Sequence, residues 1–231
     1  MQVKKTYDMK LLLPILALLL TIEGKAQNCN YYYLQNNKTI TMGHFDQKNK
    51  LIGKNIYSVS GVSKRGGTTS ANVKSEFLDK KDKVIGQSTG EMKCKNGQLL
   101  IDMKMLLSPQ QTSQFQNAEA KGEVVSLEYP TNMNVGQSLP DGFLDMDMKM
   151  ESGISANIKL EITNRKVKAK ESVTTPAGTW EAYKISYSSK VLIKMGLGIP
   201  MKIESTEWFV PDFGVVKTES KSGKSELLSI N

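Results

Sequence analysis

The sequence predicts an all-β protein: a single strongly curled antiparallel meander sheet, either a half-barrel or an open barrel. Two observations support this fold class. Apolar and polar residues alternate with a period of two through most of the chain, and clusters of turn residues separate the alternating runs. About a dozen such strands follow one another, and a sheet of that size has to curl or close.

The first 26 residues have the three parts of a secretory signal peptide. Three lysines precede an apolar run from Leu11 to Ile22, and small residues lead to a cleavage point after Ala26. Because the run has twelve residues, short of the roughly 18 to 20 that span a bilayer, a retained anchor is the weaker interpretation. We therefore expect a single β domain over 27–231, with no transmembrane segment after cleavage.

The two cysteines bear on the compartment. Ala26-Gln27-Asn28 precedes Cys29, so the Leu-small-small-Cys box of a lipoprotein is absent and no lipid anchor is expected. We predict one disulfide between Cys29 and Cys94, formed in an oxidising compartment, either periplasmic or secreted. Two free buried thiols are the alternative.

The net charge of +8 falls to +6 when the signal peptide, with four lysines and two acids, is removed. The lysines are spread along nearly every strand, which is typical of a solvated sheet face. A nucleic-acid footprint would gather them around aromatic residues, so we expect no nucleic-acid partner. A weak attraction to an acidic envelope surface is compatible with the charge.

The first half of the chain reads as strands joined by tight turns. Asn30 to Leu34 and Thr39 to Phe45 form the first strand region. The motif Asp-x-Lys-x-Lys-apolar-Ile-Gly occurs at 46–53 and again at 79–86. It predicts two hairpin turns in which the aspartate caps the turn and the lysines face water. Asn96-Gly97 predicts a third, two-residue turn.

The strand after that turn is predicted over Gln98 to Leu107, with Met103 and Met105 on its dry face and Asp102 on its wet face. Ser108-Pro109 with Gln111 forms a capping box and predicts one short helix near 109–118. The stretch 129–142 is rich in turn residues and has no period, so we interpret it as a long connection.

The second half alternates more regularly. Runs at 144–150 and 158–162 predict strands, and Asn164-Arg165 predicts a tight connection to the next strand. Two later motifs, at 171–187 and 207–217, each consist of a strand, a tight turn and a second strand. Both contain proline, glycine and tryptophan, which we interpret as structural turn positions: Pro176, Gly178, Trp180, Trp208, Pro211 and Gly214.

Several of these motifs together resemble the TapB-like exported proteins of Gram-negative envelopes, which are close to domains of unknown function. They are the Cys-x-Tyr-Tyr at Cys29, the two Asp-x-Lys-x-Lys hairpins, the run from Tyr129 to Asp141, Asn164-Arg165-x-Val167, and the runs 175–180 and 207–217. The resemblance implies a twisted antiparallel sheet, a half-barrel similar to the LolA and LolB lipoprotein carriers. It implies no established reaction and supplies no catalytic residues.

The inventory of catalytic groups is thin. His44 is the only histidine, so a site built on several histidines is excluded, and we interpret His44 as a packing or surface residue. Asp145 and Asp147 share a strand face, a spacing that suits a hydrolase or a calcium site, but a solvated face of mixed charge explains them better. We therefore predict no catalytic residue, no metal, no cofactor and no enzymatic activity.

Methionines occupy strand positions where branched aliphatic residues are more usual. They make either an adaptable core or a lined concavity for an apolar chain. We predict an exported non-enzymatic module that binds an apolar or amphipathic envelope ligand; the alternative is a structural or assembly protein that contacts an envelope partner and has no ligand cavity. The candidate lining residues are Met103, Met105, Met146, Met148 and Met150.

Overall fold

The computed structural model describes residues 29–107, 119–121, 125–149, 155–194, 198 and 200–231. Within them thirteen strands form one antiparallel sheet, which confirms the predicted all-β meander. The predicted signal peptide (1–26) and the predicted helix near 109–118 lie outside the described residues. The strands are β1 (Thr39–Phe45), β2 (Leu51–Arg65), β3 (Thr68–Asp79), β4 (Val84–Lys95), β5 (Gln98–Asp102), β6 (Glu119–Lys121), β7 (Ser126–Tyr129), β8 (Gly142–Lys149), β9 (Ser155–Thr175), β10 (Gly178–Lys194), β11 (Met201–Val210), β12 (Gly214–Ser220) and β13 (Gly223–Ile230).

The strands are ordered β6-β8-β9-β10-β11-β12-β13-β1-β2-β3-β4-β5-β7 across the sheet. Most neighbours are consecutive in the chain, and the last strand, β13, pairs with the first, with Ile40 opposite Ile230. The sheet curls until the edge strand β7 contacts β8, so that it nearly closes into a barrel. Inward-facing side chains of all the long strands then form a single hydrophobic core.

The repeated Asp-x-Lys-x-Lys text forms two matching hairpin turns, as predicted. Oδ1 of Asp46 accepts the backbone N–H groups of the second and fourth residues after it, at 2.8 and 2.9 Å. Oδ1 of Asp79 does the same at 2.8 and 3.0 Å. Each turn also contains one residue with positive φ, Asn49 at 57° and Asp82 at 61°, which asparagine and aspartate tolerate well.

Three further predicted turns, at 96–97, 175–178 and 211–214, lie where the sequence places them. Asn96 and Gly97 both have positive φ, as a two-residue hairpin turn requires. The two strand-turn-strand motifs also contact each other, because the ring of Trp180 on β10 lies 5.3 Å from the ring of Phe213 in the turn between β11 and β12. Pro211 belongs to that turn, and Gly214, with φ of 125°, begins β12.

Two predicted strand segments are wrong. The strand predicted to reach Leu107 ends at Asp102, and the chain continues as a 3-10 turn, Met103–Leu106. Asp102 caps this turn by accepting the N–H of Lys104 at 3.0 Å and is 2% exposed, so it does not face water. A short polar side chain that binds nearby backbone competes in this way with the strand ladder. Likewise, the segment predicted as a strand at Asn30 to Leu34 contains a 3-10 turn, Tyr32–Leu34.

The tight connection predicted at Asn164-Arg165 is also wrong. Strand β9 runs without interruption from Ser155 to Thr175, and Asn164, with φ of 57°, lies at an irregularity in its pairing with β10. A β-bulge can use a positive-φ asparagine as readily as a turn can. The bulge turns Arg165 inward, where it is only 1% exposed.

Arg165 joins the two ends of the sheet. Its Nη1 donates to the carbonyl oxygen of Glu128 on edge strand β7 and to that of Pro140 in the connection before β8, both at 2.8 Å. Its guanidinium lies 4.6 Å from the ring centre of Tyr129, which stacks on Phe209 of β11. One side chain of β9 therefore closes the seam between β7 and β8.

The predicted disulfide between Cys29 and Cys94 is present, with the two Cα atoms 5.6 Å apart. It holds the segment before β1 against the end of the barrel where β4 turns into β5. There the hydroxyl of Tyr31 donates to the carbonyl oxygen of Gly97 at 3.0 Å. Aromatic contacts between Tyr33 and Phe213 extend this covering, so that this end of the barrel is closed.

Replacing Arg165 with methionine should lower the free energy of unfolding by about 3–5 kcal/mol, because it leaves two seam carbonyls without a donor and a buried carboxylate without a cation. Urea unfolding of the disulfide-bonded protein measures this. Lys168→Met, an exposed position on the same strand, should change stability by no more than about 0.5 kcal/mol. Equal effects of the two substitutions would contradict the role of Arg165 in closing the sheet.

Candidate functional site

The structure buries four of the five candidate methionines, and one of them, Met103, lies beside the seam at Gly142. Met103 and Met105 belong to the 3-10 turn after β5, Met146 and Met148 lie on β8, and each is at most 8% exposed. The turn contacts both β4 and β8. All four side chains are packed in the hydrophobic core. Met150 lies outside the described residues.

Two glycines make room for the methionines of the turn. A Cβ on Gly142 of β8 would lie 2.9 Å from Sδ of Met103, and a Cβ on Gly90 of β4 would collide with the side chain of Met105. A side chain at either position would force these neighbouring side chains to move. The turn spans the seam with one flexible side chain against each wall of the barrel.

An open groove of about 1040 Å³ adjoins this region. It runs across β9 to β12 and begins at the connection before β8, where Ser138, Leu139 and Asp141 line it. Its charged lining has four basic residues and three acids: Arg165, Lys166, Lys168, Lys221, Asp141, Glu204 and Glu219. No methionine belongs to this lining among the described residues, so the groove is a polar surface distinct from the methionine cluster.

Beneath the groove lies a buried charge cluster that the sequence analysis did not identify. Glu207 is 5% exposed, and its Oε1 lies 4.0 Å from Nη2 of Arg165. These two atoms and Nε of Arg165 have no hydrogen-bond partner among the described residues. The sequence signal for Glu207 is its spacing: it lies two residues before the inward-facing Phe209 on the same strand and therefore shares that inner face.

Burial determines the protonation of this cluster. It raises the pKa of Glu207 above its usual value, although the charge of Arg165 and a hydrogen bond from Tyr129 act in the opposite direction. Burial, reinforced by the charge of Glu207, also raises the pKa of the Tyr129 and Tyr187 hydroxyls. These phenols therefore stay neutral. The cluster contains one cation, Arg165, beside the carboxyl group of Glu207, which binds its proton more tightly than usual.

His44 and the aspartates of β8 do not converge. The Nδ1 of His44 lies 2.8 Å from the hydroxyl of Ser225, and burial lowers the pKa of the imidazole. Asp145 and Asp147 are exposed, and Nδ2 of Asn157 donates to both, at 2.7 and 2.9 Å.

Hydrogen bonds from Lys159 and then Asn157 lower the pKa of Asp145, so this carboxylate is satisfied by the neighbouring strand. Within the described residues no three His, Cys, Asp or Glu side chains are grouped as a metal site would need.

Trp208 on β11 contacts charged side chains of the neighbouring strands. Its indole is 6% exposed and lies between the ammonium groups of Lys184 and Lys217, 5.2 and 4.8 Å from the ring centre. Its Nε1 donates to Glu171 at 2.8 Å. Lys184 also pairs with Glu171 at 3.2 Å, and Lys217 pairs with Glu219 at 2.6 Å, so both lysines are held within the sheet.

The raised pKa of Glu207 predicts the sign of a pH dependence. The folded state binds this proton more tightly than the unfolded state, so the contribution to stability is present below the ordinary pKa of 4.5 and is lost as pH rises through the folded pKa. Glu207→Gln should therefore flatten the fall in unfolding free energy as the pH is raised. Urea unfolding between about pH 4 and pH 8 measures it.

Glu204→Gln is the matched control, because hydrogen bonds from Lys202 and Ser188 lower the pKa of the exposed Glu204. The contribution of Glu204 to the free energy of unfolding is present above its ordinary pKa of 4.5 and is lost as the pH falls through its lower pKa in the folded state. Identical pH profiles for the wild type and Glu207→Gln would contradict the raised pKa.

Two solved structures share this fold. A protein from Bacteroides fragilis, described as exported and as having a YmcC-like fold, is 21% identical, with a TM-score of 0.68 over 85% of this chain and 96% of that one. A protein from Parabacteroides distasonis described as a lipoprotein is 17% identical, with a TM-score of 0.72 over 89% of this chain and all of that one. At these identities the likeness shows the fold alone.

Sequence comparison adds the family. No curated protein matches this chain. In the described part of the chain, no helix has the length and hydropathy of a membrane span. The model of the DUF3108-like family matches residues 35–231, which include every strand of the sheet, and the chain therefore belongs to the DUF3108-like family.

Proposed function

We propose that this protein is an exported, non-enzymatic module that binds an amphipathic ligand of the cell envelope. The observation that supports this most is the position of the connection before β8. Its residues Ser138, Leu139 and Asp141 line the polar groove, and the next residue, Gly142, packs against Met103. A ligand with an apolar chain and a polar head could place the chain among the methionines and the head in the groove.

The methionine turn is suited to opening. Met103–Leu106 is a four-residue 3-10 turn, held at its start by a hydrogen bond from the N–H of Met103 to the carbonyl oxygen of Val125 at 2.9 Å. Methionine has three rotatable side-chain bonds and adapts to apolar shapes of different size. Rotation of Met103 away from Gly142 would give an acyl chain access to the core without breaking the strand ladder.

Export and the absence of catalysis belong to the same proposal. The disulfide between Cys29 and Cys94 favours an oxidising compartment, and it occupies the thiol that a lipid anchor would use. The similar structures from Bacteroides and Parabacteroides are described as an exported protein and a lipoprotein, which supports a place in the envelope, periplasmic or secreted. A carrier role like that of LolA and LolB would fit this arrangement.

Binding of a dansylated undecanoic acid, an apolar chain with a charged head, tests the proposal. The disulfide-bonded protein should bind it saturably, with one site per chain, as measured by the rise in dansyl fluorescence. The double variant Met103→Leu/Met146→Leu should weaken binding roughly fivefold, because leucine is stiffer than methionine, with little loss of stability.

Met42→Leu is the matched control, since Met42 is equally buried but lies on β1. It should leave binding within about twofold of the wild type while costing a similar stability. If the native protein binds no probe and unfolds normally, the ligand-binding proposal fails, and the structural or assembly role becomes the better account.

A further inference from the structure

The two Asp-x-Lys-x-Lys turns lie at the same end of the barrel, opposite the end covered by the disulfide segment. Because successive strands of a meander run in opposite directions, the turns at 46–50, 80–83 and 221–222 all lie at this end. Contacts join them: Nε2 of Gln47 donates to the carbonyl oxygen of Lys221 at 2.6 Å, and Nζ of Lys54 lies 2.8 Å from Asp82. We refer to these three turns as the lysine tips.

The lysine tips carry a surplus of positive charge. Of their acids, Asp46 accepts two N–H groups of its own turn, and Asp82 pairs with Lys54. Asp79, the last residue of β3, likewise accepts two N–H groups of the turn that follows it. Six exposed lysines surround them, and within the described part of the chain none of their ammonium groups forms an ion pair: Lys48, Lys50, Lys80, Lys81, Lys83 and Lys221. This end of the molecule therefore attracts anions.

Apolar side chains are exposed directly behind these lysines. Ile52, Val84 and Ile85 are 46%, 45% and 38% exposed. They come from the apolar-Ile step that follows the lysines in both copies of the repeat. The repeat thus places two lysines and two apolar residues at each of two adjacent turns. The turn itself needs only the capping aspartate and one residue with positive φ, so the lysines and apolar residues are not required for the hairpin.

We propose that the lysine tips dock the barrel end-on to a phospholipid bilayer with anionic headgroups. Lysines near such a surface are attracted by its negative potential, and apolar side chains between them can enter the boundary between headgroups and acyl chains. A soluble polyanion would use the lysines but not the exposed isoleucines and valine. The combination of both chemistries on one surface favours the bilayer, and it does not depend on a ligand bound within the barrel.

Co-sedimentation with vesicles tests the docking surface. The disulfide-bonded protein purified from an exporting host should bind phosphatidylcholine vesicles containing about a third phosphatidylglycerol, and should bind vesicles of phosphatidylcholine alone far more weakly. The variant Lys50→Gln/Lys81→Gln/Lys83→Gln should lose roughly a hundredfold in partition to the anionic vesicles, since each lysine contributes about fivefold there.

The matched control removes the same charge from the opposite end, where Lys64, Arg65 and Lys95 are exposed beside the turns at 66–67 and 96–97. Lys64→Gln/Arg65→Gln/Lys95→Gln should change partition by no more than about threefold, because the removed charges lie beyond the screening length of the surface. Equal losses in the two triple variants would show attraction by net charge alone and overturn the proposal.

A second pair of variants tests the apolar contribution. Ile52→Ser/Val84→Ser should lower partition roughly tenfold, whereas Val135→Ser/Phe143→Ser, which removes apolar residues exposed elsewhere, should leave it within about twofold. The proposal is overturned if Ile52→Ser/Val84→Ser has no effect. It is also overturned if neutral vesicles bind equally well, or if dextran sulfate binds the protein while vesicles do not.

Discussion

The two ends of the curled sheet are held together by one buried side chain. Arg165 reaches from β9 to the carbonyl oxygens of Glu128 and Pro140, and so connects strand β7 to the chain that enters β8. A sheet that does not close exposes two rows of unpaired backbone groups, which are a liability for aggregation. The guanidinium supplies donors at this seam where no strand ladder forms. The single core of the molecule depends on that closure, because the interior would otherwise be open to water along its length.

Closing the seam with a charge has a cost that the structure partly offsets. Arg165 needs an anion, and Glu207 lies 4.0 Å away, too far for a hydrogen bond. Burial raises the pKa of Glu207 and the charge of Arg165 lowers it, so the cost of removing the carboxylate from water opposes its attraction to the guanidinium. Such a junction is less stable than a continuous ladder. The methionine turn contacts β8, and the connection before β8 lines the polar groove, so the region proposed to accept a ligand adjoins this junction.

The ends of the barrel differ in chemistry. One is covered by the disulfide and by the aromatic segment around Tyr31 and Tyr33, which are almost fully buried. The other carries the lysine tips, with charged and apolar residues both exposed. A molecule built in this way has a preferred orientation at a charged surface. The groove runs along the side of the barrel, across β9 to β12, and reaches the lysine tips at Lys221.

The sequence by itself determined most of the strands and hairpin turns, because alternation, Asp-capped turns and Asn-Gly pairs act between residues close in the chain. It also predicted the disulfide, because the chain has only two cysteines. It did not reveal Arg165, since one bulge at Asn164 reverses which side chains face inward and local patterns read that asparagine as a turn. Nor did it reveal that lysines at 48–50, 80–83 and 221 form one surface, which the pairing of β2 with β3 and of β1 with β13 brings about. The buried charge, the seam and the lysine tips all arise from contacts between residues far apart in the chain. Tertiary structure alone decided them, because burial and electrostatic fields depend on what surrounds a residue and not on what precedes it.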